Sequence, residues 1–234
     1  FLDLVQQLDE AKIKILILNP YSAAAQQRNE ELSRSATEDK VDLQACICKY
    51  LRELRDFEQR TGIKNKVEIK VYDASPSLAI YATSERLIVS FFPIGRLSRF
   101  SLQADLPMAS EMGQFLFGRF NELWEKNHDD GSRTTISLDA YFEIDLSAVG
   151  TDIKLTKPQY VRLASDKVYV AGLDFTLPVR RHGIAQVVDT ATKTIYKVVE
   201  VESHDEFVDA KDCFEEKYGH TPEGMIMRLE KVNG

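Results

Sequence analysis

The heptapeptide Lys12-Ile13-Lys14-Ile15-Leu16-Ile17-Leu18 constrains the fold of this chain more than any other stretch. Its apolar residues fall on both faces of an extended segment, which predicts a buried central strand. Asn19-Pro20-Tyr21-Ser22 ends it, because proline cannot donate to a ladder and Asn and Ser favour turns. A long helical region follows, in which Val41, Ala45, Cys48, Leu51, Leu54 and Phe57 recur every three or four residues up to a stop at Gly62. Residues 66–71 then alternate as a second strand, and 78–81 and 86–92 form two more around Thr83-Ser84-Glu85. Strand, helix, strand and hairpin together are an α/β signature.

After a turn-rich passage to Pro107, Met112, Phe115, Leu116, Phe120, Leu123 and Trp124 predict an amphipathic helix. The polar run that follows marks a boundary, giving an α/β domain over 1–127, a connector over 128–133 and a second subdomain over 134–234. Residues 134–146 alternate without a break and predict one long half-buried strand. Further strands are expected at 160–163, 168–171, 184–188 and 196–201, the last two joined across 189–194 as a hairpin. Ser203-His204-Asp205-Glu206 has capping-box spacing, opening a helix with Phe207, Ala210 and Phe214 inward that ends near Gly219. The second part therefore reads as mostly antiparallel β with one helix, making the whole chain α/β in its first half and α+β overall.

The chain has 30 basic and 37 acidic residues among 234, a net charge of −7, which argues against a nucleic-acid partner. No run approaches the ~20 apolar residues of a membrane helix, so no membrane partner is expected. Cys46, Cys48 and Cys213 form an odd set, which favours a reducing, cytoplasmic location over a disulfide framework. Cys46-Ile47-Cys48 lacks the second pair or nearby histidine that would complete a zinc site, and neither a metal nor a cofactor is expected. The start at Phe1 reads as an excerpt of a longer polypeptide, whose other domains would be partners.

Phosphate-loop, dinucleotide, zinc-protease and nucleophile-elbow motifs are all absent. Of the four histidines, His128 lies in the connector and His220 past a helix end. His204 shares a helix start with Asp205 and Glu206, and His182 belongs to Arg180-Arg181-His182-Gly183, a basic cluster suited to gripping a phosphate or carboxylate. Topology supplies a second constellation, since ligands of α/β sheets bind at the carboxyl ends of the strands. If the strands at 13–18, 67–72 and 86–92 are neighbours, that edge gathers Asn19, Tyr21, Ser22 and Arg28 from one loop, Asp73, Ser75 and Ser77 from the next, and 93–96 from a third. Tyr21, Ser22, Arg28, Asp73, Ser75, Ser77, Arg180, Arg181 and His182 are accordingly the candidate ligand-binding residues, for a small polar or phosphorylated ligand.

The order of parts in the first 127 residues resembles the phospholipase D-like fold. The resemblance rests on the lead-in segment 1–9, the strand Lys12 to Leu18, the long helix, the strand running into Tyr72-Asp73-Ala74-Ser75-Pro76, the hairpin at Ser84-Glu85-Arg86 and the closing Phe120-Asn121-Glu122-Leu123-Trp124. The His-x-Lys signature of that family is missing: no histidine precedes position 128, and none is followed two residues later by lysine. What the resemblance implies is a catalytically silent relative, a sensor or partner-binding part of a larger bacterial regulatory or defence protein.

The leading expectation is thus a non-enzymatic ligand-sensing or interaction module with a role in signalling, with which a homo-oligomer is compatible. One alternative is a hydrolase or transferase acting on a nucleotide or phosphate ester, with His182 or His204 as acid/base and Asp205 or Glu206 as orienter. Another is a protein–protein adaptor presenting Phe91, Phe92, Ile94 and Phe100.

Overall fold

The computed structural model describes residues 13–34, 41–62, 66–74, 78–92, 101–125, 135–151, 153, 155–163 and 167–232. The chain divides into two compact units, Phe1–Ser137 and Leu138–Gly234. Six helices and twelve strands in three sheets make it a mixed α/β protein, among the described residues.

In the first unit, β1 (Ile13–Leu18) lies parallel to β2 (Val67–Tyr72), with Ile13 opposite Val67 and Leu18 opposite Tyr72. Strand β6 (Thr135–Ser137) joins the other side of β2 antiparallel, so β1 stands at the edge of the described sheet and not at its centre as its composition predicted. Parallel pairing requires a crossover, and helices α1 (Ala23–Ser33) and α2 (Leu43–Thr61) supply it. Ser22 and Asp42 cap them by accepting the Ala25 and Ala45 N–H groups, and Gly62, at φ +64°, ends α2 where the sequence placed its stop. Every second residue of β2 is buried (Val67, Ile69, Val71), as is the Cys48, Leu51 and Phe57 stripe of α2.

Strands β3 (Leu78–Ala82), β4 (Arg86–Phe91) and β5 (Gln103–Pro107) form an antiparallel sheet whose inner face shares a core with α3 (Glu111–Glu125) through Leu87, Val89, Met108 and Leu116. Strand β5 lies in the passage up to Pro107 whose composition predicts turns. Gly113 is obligatory in α3, since a Cβ there would meet the Pro107 carbonyl at 2.4 Å. Trp124 closes the unit: Lys70 Nζ donates to its carbonyl at 3.2 Å, and Lys14 and Lys70 lie 5.0 and 4.4 Å from its ring centre.

The long strand expected over 134–146 does not exist. Its residues form β6, then the short helix α4 (Leu138–Phe142), then β7 (Leu146–Ala148). Leu138, Tyr141 and Phe142 are all buried, a spacing of three and four that overrides the period-two alternation of the surrounding run. Buried hydroxyls fix this outcome, because Tyr160 donates to the Ala140 carbonyl at 2.9 Å and Tyr218 to that of Phe142, satisfying helix-end acceptors that a strand would have aimed at a neighbouring chain segment.

The second unit is built on one antiparallel sheet in the order β7-β10-β11-β12-β9-β8. Its other strands are β8 (Gln159–Arg162), β9 (Val168–Ala171), β10 (Gln186–Asp189), β11 (Ile195–Glu200) and β12 (Ile226–Lys231), with β10 and β11 paired as the expected hairpin. Three helices accompany the sheet where one was expected: α4, α5 (Leu173–His182) and α6 (His204–Tyr218). Helix α5 escaped the sequence reading because Pro178 lies inside it. Proline removes the donor to the Asp174 carbonyl, and the Thr156 hydroxyl, 3.4 Å away, donates to it instead.

Candidate functional site

The carboxyl ends of β1 and β2 border a concavity of about 430 Å³, lined by Asn19, Tyr21, Ser22, Ala23, Ala24, Asp73 and Ala74. Local hydrogen bonding shapes it. The Asn19 side-chain oxygen accepts the Tyr21 N–H at 3.1 Å, and the Ser22 hydroxyl donates to the Asn19 carbonyl at 2.7 Å while accepting the Ala25 N–H at 3.1 Å. Asn19 N–H donates to the Tyr72 carbonyl at 2.8 Å, tying this turn to the end of β2 and bringing Asp73 alongside. The buried Cys48 thiol donates to the Tyr21 hydroxyl at 3.6 Å, so α2 holds that ring in place. Ala23 and Ala24 open α1, where the first N–H groups have no intrahelical acceptor and the helix end carries partial positive charge. The concavity therefore offers donors from a helix start, a phenol and an amide, together with one acceptor carboxylate, that of Asp73.

Of the residues singled out in the sequence, Asn19, Tyr21, Ser22 and Asp73 meet here. Ser75, Ser77 and residues 93–96 lie outside the described residues. Arg28 is not in the lining: its guanidinium pairs with Glu31 at 3.0 Å and covers the Phe92 ring at 5.6 Å, leaving the side chain 11% exposed. Arg180, Arg181 and His182 belong to the second unit and form the last turn of α5, a position that complements the helix dipole. Arg180 pairs with Glu200 at 2.9 Å. Arg181 borders a separate concavity of about 280 Å³ with Thr156, Leu173, Asp174, Leu177 and Pro178.

The groups proposed for acid–base chemistry are placed otherwise. Ser203 caps α6 by accepting the Glu206 N–H at 3.4 Å, as the spacing predicted. The Glu206 carboxylate, however, turns to the sheet, accepting from Arg228 Nη1 at 2.7 and 2.8 Å and from the Tyr169 phenol, with Lys167 at 3.5 Å. These donors, the Tyr169 hydrogen bond foremost, hold its carboxyl at about 2, below the usual 4.5. Burial, reinforced by that same hydrogen bond, pushes the Tyr169 phenol up. His182 and His204 are exposed, and no histidine–carboxylate pair occurs among the described residues. Phe91 is half exposed; Ile94 and Phe100 lie outside the described residues.

A second buried polar cluster surrounds Lys217. Lys217, 3% exposed, donates to the Tyr160 carbonyl at 2.8 Å, and its ammonium lies 3.8, 4.6 and 5.4 Å from the ring centres of Tyr160, Tyr141 and Tyr218. The signal was present, since Lys217 continues the inward stripe of Ala210 and Phe214 one turn on. No known protein family, curated protein or solved structure matches this chain.

Proposed function

We propose that this chain is a non-enzymatic ligand-sensing module of a larger regulatory or defence protein, and that its ligand sits in the concavity at the carboxyl ends of β1 and β2. The observation that carries this reading is the convergence of Asn19, Tyr21, Ser22 and Asp73 with the start of α1 at the edge where α/β sheets bind ligands. Helix-start N–H groups suit an acceptor such as a carboxylate or phosphate oxygen, and Asp73 suits a donor such as a hydroxyl or ammonium. A small ligand bearing both kinds of group fits the lining best. With Arg28 turned to Glu31 and Phe92, no arginine or lysine stands among the described lining residues, which favours polar ligands of low charge over polyphosphates.

A thermal-shift screen of the chain against nucleotides, cyclic nucleotides, sugar phosphates, amino acids and simple carboxylates tests the reading. A true ligand at about a hundred times its dissociation constant stabilises by about 2.7 kcal/mol, a shift on the order of 5–10 °C. The shift is expected to vanish in Asp73→Asn and to survive Arg181→Ala. A hit indifferent to Asp73, or silence across the panel, overturns the assignment of this site.

A further inference from the structure

Helix α5 carries a second feature that the ligand reading does not use. Its buried side is Phe175, Thr176 and Val179, and the opposite side presents Leu173 and Leu177, 44% and 52% exposed, with Pro178 between exposed Asp174 and Arg181. These residues line the 280 Å³ concavity. Neither Asp174 nor Arg181 makes an ion pair among the described residues, whereas the adjacent Arg180 is held by Glu200 at 2.9 Å. The stripe is thus apolar in the middle, acidic toward the helix start and basic toward its end.

We infer that this face of α5 is an interface with a second copy of the chain, the two α5 helices packing antiparallel about a twofold axis near Leu177 and Pro178. The argument is charge complementarity under symmetry. A twofold interface presents the same patch twice, so a patch must match its own rotated image. Asp174 and Arg181 are seven residues apart, nearly two turns and about 10 Å along the axis, with Leu177 and Pro178 between them and Leu173 one residue before Asp174. Rotation sets Asp174 against Arg181 of the partner subunit and Arg181 against Asp174 of the partner subunit, while Leu177 and Pro178 close over each other. Leu177 and Pro178 leave water, and Asp174 and Arg181 each gain an ion-pair partner. A parallel arrangement would oppose like charges, which selects the antiparallel one.

Sedimentation equilibrium of the full chain over a wide concentration range, with single and double charge reversals, tests this. Arg181→Glu or Asp174→Lys alone converts both symmetry-related pairs from attraction to repulsion, and is expected to raise the dimer dissociation constant about tenfold or more. The double variant Asp174→Lys/Arg181→Glu restores opposite charges across the axis and is expected to recover the wild-type constant within about threefold. Both sites are exposed, and unchanged circular dichroism confirms that the variants fold. A monomer at every concentration overturns the inference, as does a dimer insensitive to the single reversals or not rescued by the double one. An acidic or basic peptide partner for this face would leave the chain monomeric and would count against it.

Discussion

Tyr218→Phe is expected to lower the stability of the second unit by about 2–4 kcal/mol, although it removes one oxygen atom and leaves the ring in place. The Tyr218 hydroxyl accepts the Tyr160 N–H at 2.9 Å and faces two carbonyl acceptors, those of Phe142 and of Tyr160, the latter also at 2.9 Å. Without it, the Tyr160 amide loses this acceptor and the Phe142 carbonyl this donor in a buried site, each loss costing about 1–3 kcal/mol. The Tyr160 carbonyl keeps the Lys217 ammonium and is not orphaned. Because Phe142 ends α4, Tyr160 belongs to β8 and Tyr218 ends α6, a single hydroxyl joins three elements remote in sequence. Packing is retained in the variant, including the stacking of Phe214 on ring 218 at 5.7 Å between centres, so the loss isolates the hydrogen bonds. Urea unfolding measures it, with Tyr50→Phe, exposed at 60%, as the control expected to change nothing. A Tyr218→Phe chain as stable as its parent would mean that water or a neighbouring group replaces the hydroxyl.

The same cluster shows where sequence reasoning stops. The strand–helix–strand opening, the turn at Asn19 to Ser22 and the stop at Gly62 were legible because each rests on a local rule: apolar run length, turn propensity, a left-handed helix end. The meeting of the turns after β1 and β2 was legible for the same reason, whereas the third strand expected at that edge, 86–92, belongs as β4 to a different sheet. Residues 138–142 were not legible, because Leu138, Tyr141 and Phe142 fit a helix while the surrounding alternation fits a strand, and the deciding acceptor bonds come from Tyr160 and Tyr218. Arg28 looks like a ligand group in the sequence because neither its partner three residues on nor Phe92, remote in sequence, announces itself. Glu206 misled in a different way: the spacing correctly gave the N-cap at Ser203, yet the carboxylate is drawn to Arg228 across the sheet instead of back to the cap. Long-range polar partners decide the first and third of these cases, and for Arg28 a local carboxylate and a remote aromatic ring do.

Arg228→Met is expected to cost about 2 kcal/mol at neutral pH, and the deficit should shrink as the solution is acidified. Arg228 on β12 stands directly opposite Tyr169 on β9, and both donate to the Glu206 carboxylate from the first turn of α6. The other side of the guanidinium is held by Glu230 at 2.6 Å, so the arginine is positioned before Glu206 meets it. Charge-assisted bonds of this kind contribute about 1.5–3 kcal/mol when partly shielded, and the Glu206 and Arg228 side chains are 16% and 20% exposed. The sign of the pH effect follows from the direction of the shift. The folded state holds Glu206 at about 2 against a usual 4.5, so the unfolded chain takes up this proton first as pH falls. The contribution is therefore fully present above about 4.5 and is lost progressively as pH falls through about 2. Removing the guanidinium moves the folded value back up, flattening that part of the profile, so that wild-type and variant stabilities draw together in acid and stand furthest apart above pH 5 or so. Urea melts of both proteins at several pH values give the difference directly. A deficit that stays constant from neutral to acid pH would mean that Arg228 acts through its packing against the sheet and not through the charge on Glu206.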